Sequence, residues 1–216
     1  MAISSEAANA ASIIVDHHIA ENNGDRNALR FRDKRYSYHD LAALMNRAGN
    51  MMRRLGVNAG DAVLIAVAPS PSLIAGVFGA MKIGATPVLL PTDAGPAAIA
   101  QASSKSKAKL LIAEAARLGK LGPTPGVMVL VVGDAADGQK SFLQEMRESA
   151  SSLTRTAVAN GTPALALLQN GDLLSVAHQQ LAGARSGADL ALQFDGWDLG
   201  AALGRFARGE EEIISL

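Results

Sequence analysis

Few residues in this 216-residue chain have the types and spacing that chemistry needs. Ser175 and His178 are three positions apart, so on a helix a hydroxyl and an imidazole share one face, as nucleophilic catalysis requires. No G-x-S-x-G elbow presents a serine, and no carboxylate is set to orient His178, so a plain surface pair competes with that reading. His17 and His18 are adjacent; on a helix they diverge by about 100° and cannot chelate one metal. Asp134 and Asp137 form a possible carboxylate pair, but Gly133 and Gly138 beside them describe a solvated turn. Lys105, Lys107 and Lys109 alternate before an apolar run and suit either a phosphate, an acidic partner or a solvated helix end. The single tryptophan, Trp197, stands in the polar segment Phe194-Asp195-Gly196-Trp197-Asp198. It reads as a lid over the core, a pocket wall or an interface anchor. Trp197, Asp198 and His178 are therefore the candidate ligand or interface residues. No residue is assigned to catalysis, cofactor binding or metal ligation.

Phosphate chemistry would need a glycine-rich loop after a strand, with backbone N–H groups turned inward. Val67-Ala68-Pro69-Ser70-Pro71 has no glycine. Val132 to Gly138 matches neither the dinucleotide nor the Walker spacing, and Leu168-Gln169-Asn170-Gly171-Asp172 is short and has no lysine. Each reads as an ordinary turn. Composition removes further classes. With no cysteine, thiolate metal sites, disulfides and cysteine nucleophiles are excluded. Lys+Arg 20 balances Asp+Glu 20, so no surplus of cations is available to neutralise a nucleic-acid backbone. The N-terminus shows neither a basic lead nor an apolar signal stretch, and no run is long enough to span a bilayer. The reading is a cytoplasmic protein with neither a nucleic-acid nor a membrane partner. At this mass about 70% of the unfolded surface can be buried, so the core needs no covalent staples.

The elements that position these residues follow from periodicity. Ala11, Ile14, Val15 and Ile19 mark a first helix within Ala7 to Glu21. Residues 28–31 and 35–38 flank a polar turn and predict a hairpin. Leu41, Leu44, Met45, Ala48, Met51, Met52 and Leu55 form the apolar stripe of a long helix, with the methionines as core filler and Gly56 at its left-handed end. Buried-strand runs then alternate with helices: strands at 62–67, 88–90, 109–113, 127–132 and 164–168, and helices at 72–83, 95–104, 114–118 and 141–151. Such continuous apolar strands predict an α/β fold of three layers, a mostly parallel sheet with helices on both faces. The breaker-rich stretch Gly119 to Gly126 separates elements of one sheet and marks no domain boundary. After Leu168, Asp172 is read as the N-cap of a helix running to Ala184. Further elements are a helix over 199–207 and a last strand over 211–216.

Taken in order, several segments resemble one family. Asn27-Ala28-Leu29-Arg30-Phe31, Tyr36-Ser37-Tyr38-His39-Asp40-Leu41, Asn46-Arg47, Leu55-Gly56-Val57 and Gly60-Asp61-Ala62-Val63 resemble the opening of the adenylate-forming, or AMP-binding, superfamily. That superfamily includes acyl-CoA synthetases and peptide-synthetase adenylation domains. Ala68-Pro69-Ser70-Pro71 and then Gly79-Ala80-Met81-Lys82-Ile83-Gly84-Ala85-Thr86-Pro87-Val88 are similar to its "G-x-x-K-x-G-A-x-x-V-P" segment, and Ser106 to Ile112 to the strand that follows. The chain is accordingly read as one N-terminal, acyl-CoA synthetase-like domain over 1–216. Within it, 1–27 is a lead-in, 28–168 the best-matching core and 169–216 a weakly matching end.

The resemblance implies ATP, magnesium and CoA chemistry: a carboxylate becomes an acyl-adenylate and is then passed to a thiol. It also implies a Ser/Thr/Gly-rich, lysine-bearing phosphate loop after the strand 164–168. Here the chain instead goes Gln169-Asn170-Gly171-Asp172, read as leading straight into a helix. The family's adenine, ribose and magnesium segments and its C-terminal lysine would lie beyond Leu216. Asp189 to Gly209 resembles the strand, turn and helix that carries an acyl-pocket histidine, but Asp195-Gly196-Trp197-Asp198 stands in its place. The expectation is a ligase-like, non-catalytic binding or interaction module that needs no cofactor. Its expected partners are a second copy or another protein over the face where the rest of a ligase would pack, and an acyl or aryl carboxylate. A subunit of a split ligase and an acyl-ligand sensor are the alternatives.

Overall fold

The computed structural model describes residues 9–121, 124–159, 161–186 and 191–214. Ala7, Gly122-Pro123, Asp189-Leu190 and Ser215-Leu216, all used in the sequence reading, lie outside them. A π-helical turn, Ser12–Asp16, runs into α1 (His17–Ala20), and the hairpin β1 (Asn27–Phe31) and β2 (Lys34–Ser37) follows. Ser37 caps α2 (Tyr38–Arg54): its side chain accepts from the Asp40 N–H while the Asp40 carboxylate takes the Ser37 N–H, a reciprocal capping box.

The alternating core consists of β3 (Ala62–Ala66), α3 (Pro71–Lys82), β4 (Thr86–Leu89), α4 (Pro96–Ser106) and β5 (Leu110–Glu114). It continues through α5 (Leu118–Leu121), β6 (Met128–Val132), β7 (Lys140–Ser141) and α6 (Phe142–Arg147). The chain ends through β8 (Pro163–Gln169), β9 (Asp172–Ala177), α7 (His178–Ala182), β10 (Gln193–Phe194), β11 (Trp197–Asp198), α8 (Leu199–Arg208) and β12 (Glu212–Ile214).

The seven-stranded sheet has the order β7-β6-β5-β3-β4-β8-β9 and is parallel except for β9, which returns antiparallel to β8. The α/β, three-layer reading therefore holds. Every residue of β3 is buried because alternate side chains enter different cores. Val63 and Ile65 face the larger core with α2, α3 and α8; Ala62, Leu64 and Ala66 face the smaller one with α4. Met45, Met51 and Met52 are fully buried in the larger core.

The polar border of α2 is solvent-accessible but also bonded to the chain beside it. Asn46, Asn50 and Arg53 donate to the Ser151, Ala150 and Ser152 carbonyls and the Thr156 hydroxyl, stapling down the irregular segment that links α6 to β8. These bonds satisfy backbone carbonyls that no strand or helix pairs.

One expectation is overturned. Residues 172–184 do not form a single helix: Asp172–Ala177 is β9, and only His178–Ala182 is α-helical. Asn170 and Gly171 both have positive φ, 50° and 86°, between the paired residues Gln169 and Asp172. That is the two-residue primed turn that matches the twist of flanking strands, for which Asn-Gly is the preferred pair. Ser175 is thus a strand residue, and its supposed helical pairing with His178 does not exist.

Candidate functional site

The resemblance places a phosphate loop between β8 and β9, where this chain has only the Asn170-Gly171 turn. The nearby cation is already engaged: the Lys105 ammonium donates to the Gly171 carbonyl at 3.1 Å and to the Asp172 carboxylate at 3.0 Å. Two turn residues cannot supply a concave run of inward N–H groups, and a lysine held by a carboxylate is poorly placed for an anion. The residues present at this hairpin do not fit a nucleoside triphosphate. Among the described residues no cluster of His, Asp or Glu is composed to hold a metal ion.

The three residues singled out from the sequence sit in different settings. His178 is wholly buried at the start of α7; its Nδ1 accepts the Ala10 N–H at 2.9 Å, while Nε2 has no hydrogen-bond partner. Burial holds its pKa down at about 4, so the ring is neutral at pH 7 and ties the N-terminal segment to the β9–α7 junction. Trp197 is half-buried against the larger core, and its indole N–H donates to Glu212 Oε1 at 2.9 Å. Glu212 is 1% exposed, and its other oxygen takes the Arg205 guanidinium. Trp197 thus covers α8 and β12 as a pinned lid. Asp198 is exposed and caps α8, accepting the Ala201 N–H at 2.9 Å. Asp195, in the turn between β10 and β11, accepts the Thr92 N–H and anchors this small hairpin beyond the end of β4. No hydrogen bond joins His178 to Trp197 or Asp198.

The sequence reading missed a cleft elsewhere. From β3 the chain crosses to β4 on one side and returns to β5 on the other, so the connections that leave the paired carboxyl ends of β3 and β5 run apart at a topological switch point, where open α/β sheets bind ligands. There the structure has a cleft of about 730 Å³. Ala68 to Ser72, between β3 and the start of α3, and Glu114, the last residue of β5, form its base. Glu114 Oε1 accepts the Ala68 N–H at 2.9 Å and fixes one side of the crevice. α6 closes another side with Phe142, Leu143 and Met146, and the β1–β2 hairpin contributes Phe31 and Tyr36. Four cations line it, Arg32, Lys34, Arg47 and Arg147, against the single carboxylate Glu114. No local sequence pattern signals this cleft, because it depends on the strand order of the assembled sheet.

A mostly parallel sheet, helices on both faces and a switch-point crevice define a doubly wound α/β protein. The AMP-binding enzyme family matches residues 16–179, and the chain belongs to that family. It is 35% identical over 109 residues to a 3-hydroxybenzoate–CoA ligase of Aromatoleum sp. (strain CIB), which covers 50% of this chain and 21% of that ligase. An acyl-CoA synthetase of Brucella canis superposes with a TM-score of 0.83 at 24% identity, over 99% of this chain and 44% of the other. The anthranilate CoA ligase AuaEII, solved with anthranoyl-AMP, gives a TM-score of 0.85 at 19% identity, over 96% of this chain and 45% of the other. The chain thus spans less than half of these solved relatives.

Proposed function

We propose that this chain is a ligase-derived binding and interaction module that does not form acyl-adenylates on its own. The observation that carries this reading is the β8–β9 turn: two residues, Asn170 and Gly171, stand where the family resemblance calls for a glycine-rich phosphate loop. A triphosphate carries several negative charges that must be met by oriented donors or cations in the transition state. Two turn residues and an engaged Lys105 offer neither.

Sheet edges support an interaction role. β9 ends the seven-stranded sheet and β12 the three-stranded one, and each presents an exposed apolar residue, Leu174 at 45% and Ile213 at 46%. Unpaired strand edges with apolar side chains invite pairing with another chain, a second copy or a different protein. A second reading, a subunit of a split acyl- or aryl-CoA ligase, is supported by the superposition of nearly this whole chain, 99% of it, on 44% of the Brucella canis synthetase, which leaves the other part of such a fold for a second polypeptide to supply.

The test is acid-dependent exchange of pyrophosphate into ATP, run across fatty and aromatic acids, together with melting in Mg·ATP. The expected result is no exchange and no shift. Exchange by the chain alone overturns the proposal; exchange appearing only with a second polypeptide transfers it to the split-ligase reading.

A further inference from the structure

We propose that the switch-point cleft is a binding site for a small organic anion with an apolar body, separate from any adenylation chemistry. It lies over β3, β5 and β6, whereas the closed β8–β9 turn is on the far side of β4. The inference therefore stands independently of whether the chain adenylates.

The cleft's volume is in the range of small-molecule sites. Its walls carry Phe31, Tyr36, Leu44, Phe142, Leu143 and Met146, and Leu143 is 42% exposed, an apolar side chain left facing the opening. The ligand's body must accordingly be apolar, since most of the wall offers it nothing polar to bond.

The rim sets the charge. Arg32 and Lys34 are held over the Phe31 and Tyr36 rings at 5.2 and 5.0 Å, which keeps both cations at the mouth. Arg47 is braced by the Arg147 and Ser149 carbonyls, at 3.1 and 2.7 Å. The exposed Arg147 guanidinium has no hydrogen bond or ion pair among the described residues. The one carboxylate in the cleft, Glu114, is already bonded to Ala68. Four cations thus face the opening against one carboxylate, and a planar guanidinium suits a carboxylate, sulfonate or phosphate head.

A nucleotide fits less well. No asparagine, glutamine or histidine lines the cleft to read a base, and the Ser70 hydroxyl is used to cap α3 through the Leu73 N–H.

Calorimetry with 2-naphthalenesulfonate tests the site, because a sulfonate has the required charge and shape but is no substrate for acyl transfer. Tight binding to the native chain is expected, with a dissociation constant raised about tenfold or more by Arg147→Glu and by Leu143→Glu. Both positions are on the exposed side of α6, so the melting temperature should hold and report that the fold is intact. Neutral 2-naphthalenemethanol should bind about tenfold more weakly. No binding of the sulfonate, equal binding of the alcohol, or binding indifferent to both substitutions overturns the inference. None of these outcomes bears on pyrophosphate exchange, so this proposal and the previous one fail separately.

Discussion

Lys82 offers the sharpest quantitative test of how the fold is held. Its residue is 3% exposed, and its ammonium reaches Asp16 Oδ1 at 2.9 Å and Asn46 Oδ1 at 2.6 Å, joining the N-terminal segment, α2 and α3. Asp16 is less deeply placed, with 32% of its side chain exposed, and also accepts from the Ser12 hydroxyl. Removing one member of a buried pair leaves an uncompensated charge and costs about 3–5 kcal/mol, whereas replacing the buried ion with an apolar group of similar length is often near neutral. For Asp16→Ala the lower end applies, about 3 kcal/mol, because water can enter beside a partly exposed position. At about 2–4 °C per kcal/mol for a chain of this length, the midpoint should fall by about 6–12 °C. Lys82→Met removes the desolvated charge and leaves Asp16 to the solvent, so its loss should stay within about 1 kcal/mol, below about 4 °C. The double variant should resemble Lys82→Met. Differential scanning calorimetry of the three variants at neutral pH decides the matter. If Lys82→Met loses as much as Asp16→Ala, the pair itself is strongly stabilising and the asymmetry argument is wrong.

Two further predictions concern stability. His178 and His17 both have pKa values lowered to about 4, in each case chiefly by burial. As pH falls below the unfolded value of 6.5 the unfolded chain takes up protons that the native state refuses, so stability is full above that value and declines toward pH 4. His178 alone should remove about 2 kcal/mol at pH 5, and urea titrations should show His178→Asn, which keeps an acceptor for the Ala10 N–H, with a shallower loss; an unchanged slope would falsify the assignment. A methyl at Gly79 would sit 2.7 Å from the Ala48 Cβ and 2.9 Å from the Gly49 nitrogen, where α2 and α3 meet backbone to backbone. Gly79→Ala should therefore destabilise by about 1–3 kcal/mol through overpacking, despite alanine's better helix propensity, and a raised denaturation midpoint would contradict this.

Much of this architecture is legible in the residues themselves. The run Ala62 to Val67 has no polar position, which suits only a strand covered on both faces, and the Gly79-to-Val88 segment announces the family. The sequence also carries the signal of the β8–β9 hairpin, Asn-Gly between apolar runs, but Asp172 after a glycine equally resembles a helix N-cap. The pairing across that turn decides the matter, because Leu167 opposite Leu174 and Leu168 opposite Leu173 are strand partners that a helix would separate. Trp197 was readable as a lid, but its bond to Glu212 joins residues fifteen apart in sequence and could not be inferred from spacing.

By itself the sequence determined the elements and their class, since periodicity, caps and turn residues act over a few positions and local backbone energetics answer to them. The cleft and its cations were decided by the tertiary structure. Arg32, Arg47 and Arg147 lie on the β1–β2 hairpin, α2 and α6, and only the packing of α2 against the hairpin and α6 brings them to one opening. Whether Lys82 is a surface charge or a buried one was settled in the same way, by where α2 and the N-terminal segment pack. Long-range burial depends on which faces meet, a property of the assembled layers that no window of residues contains.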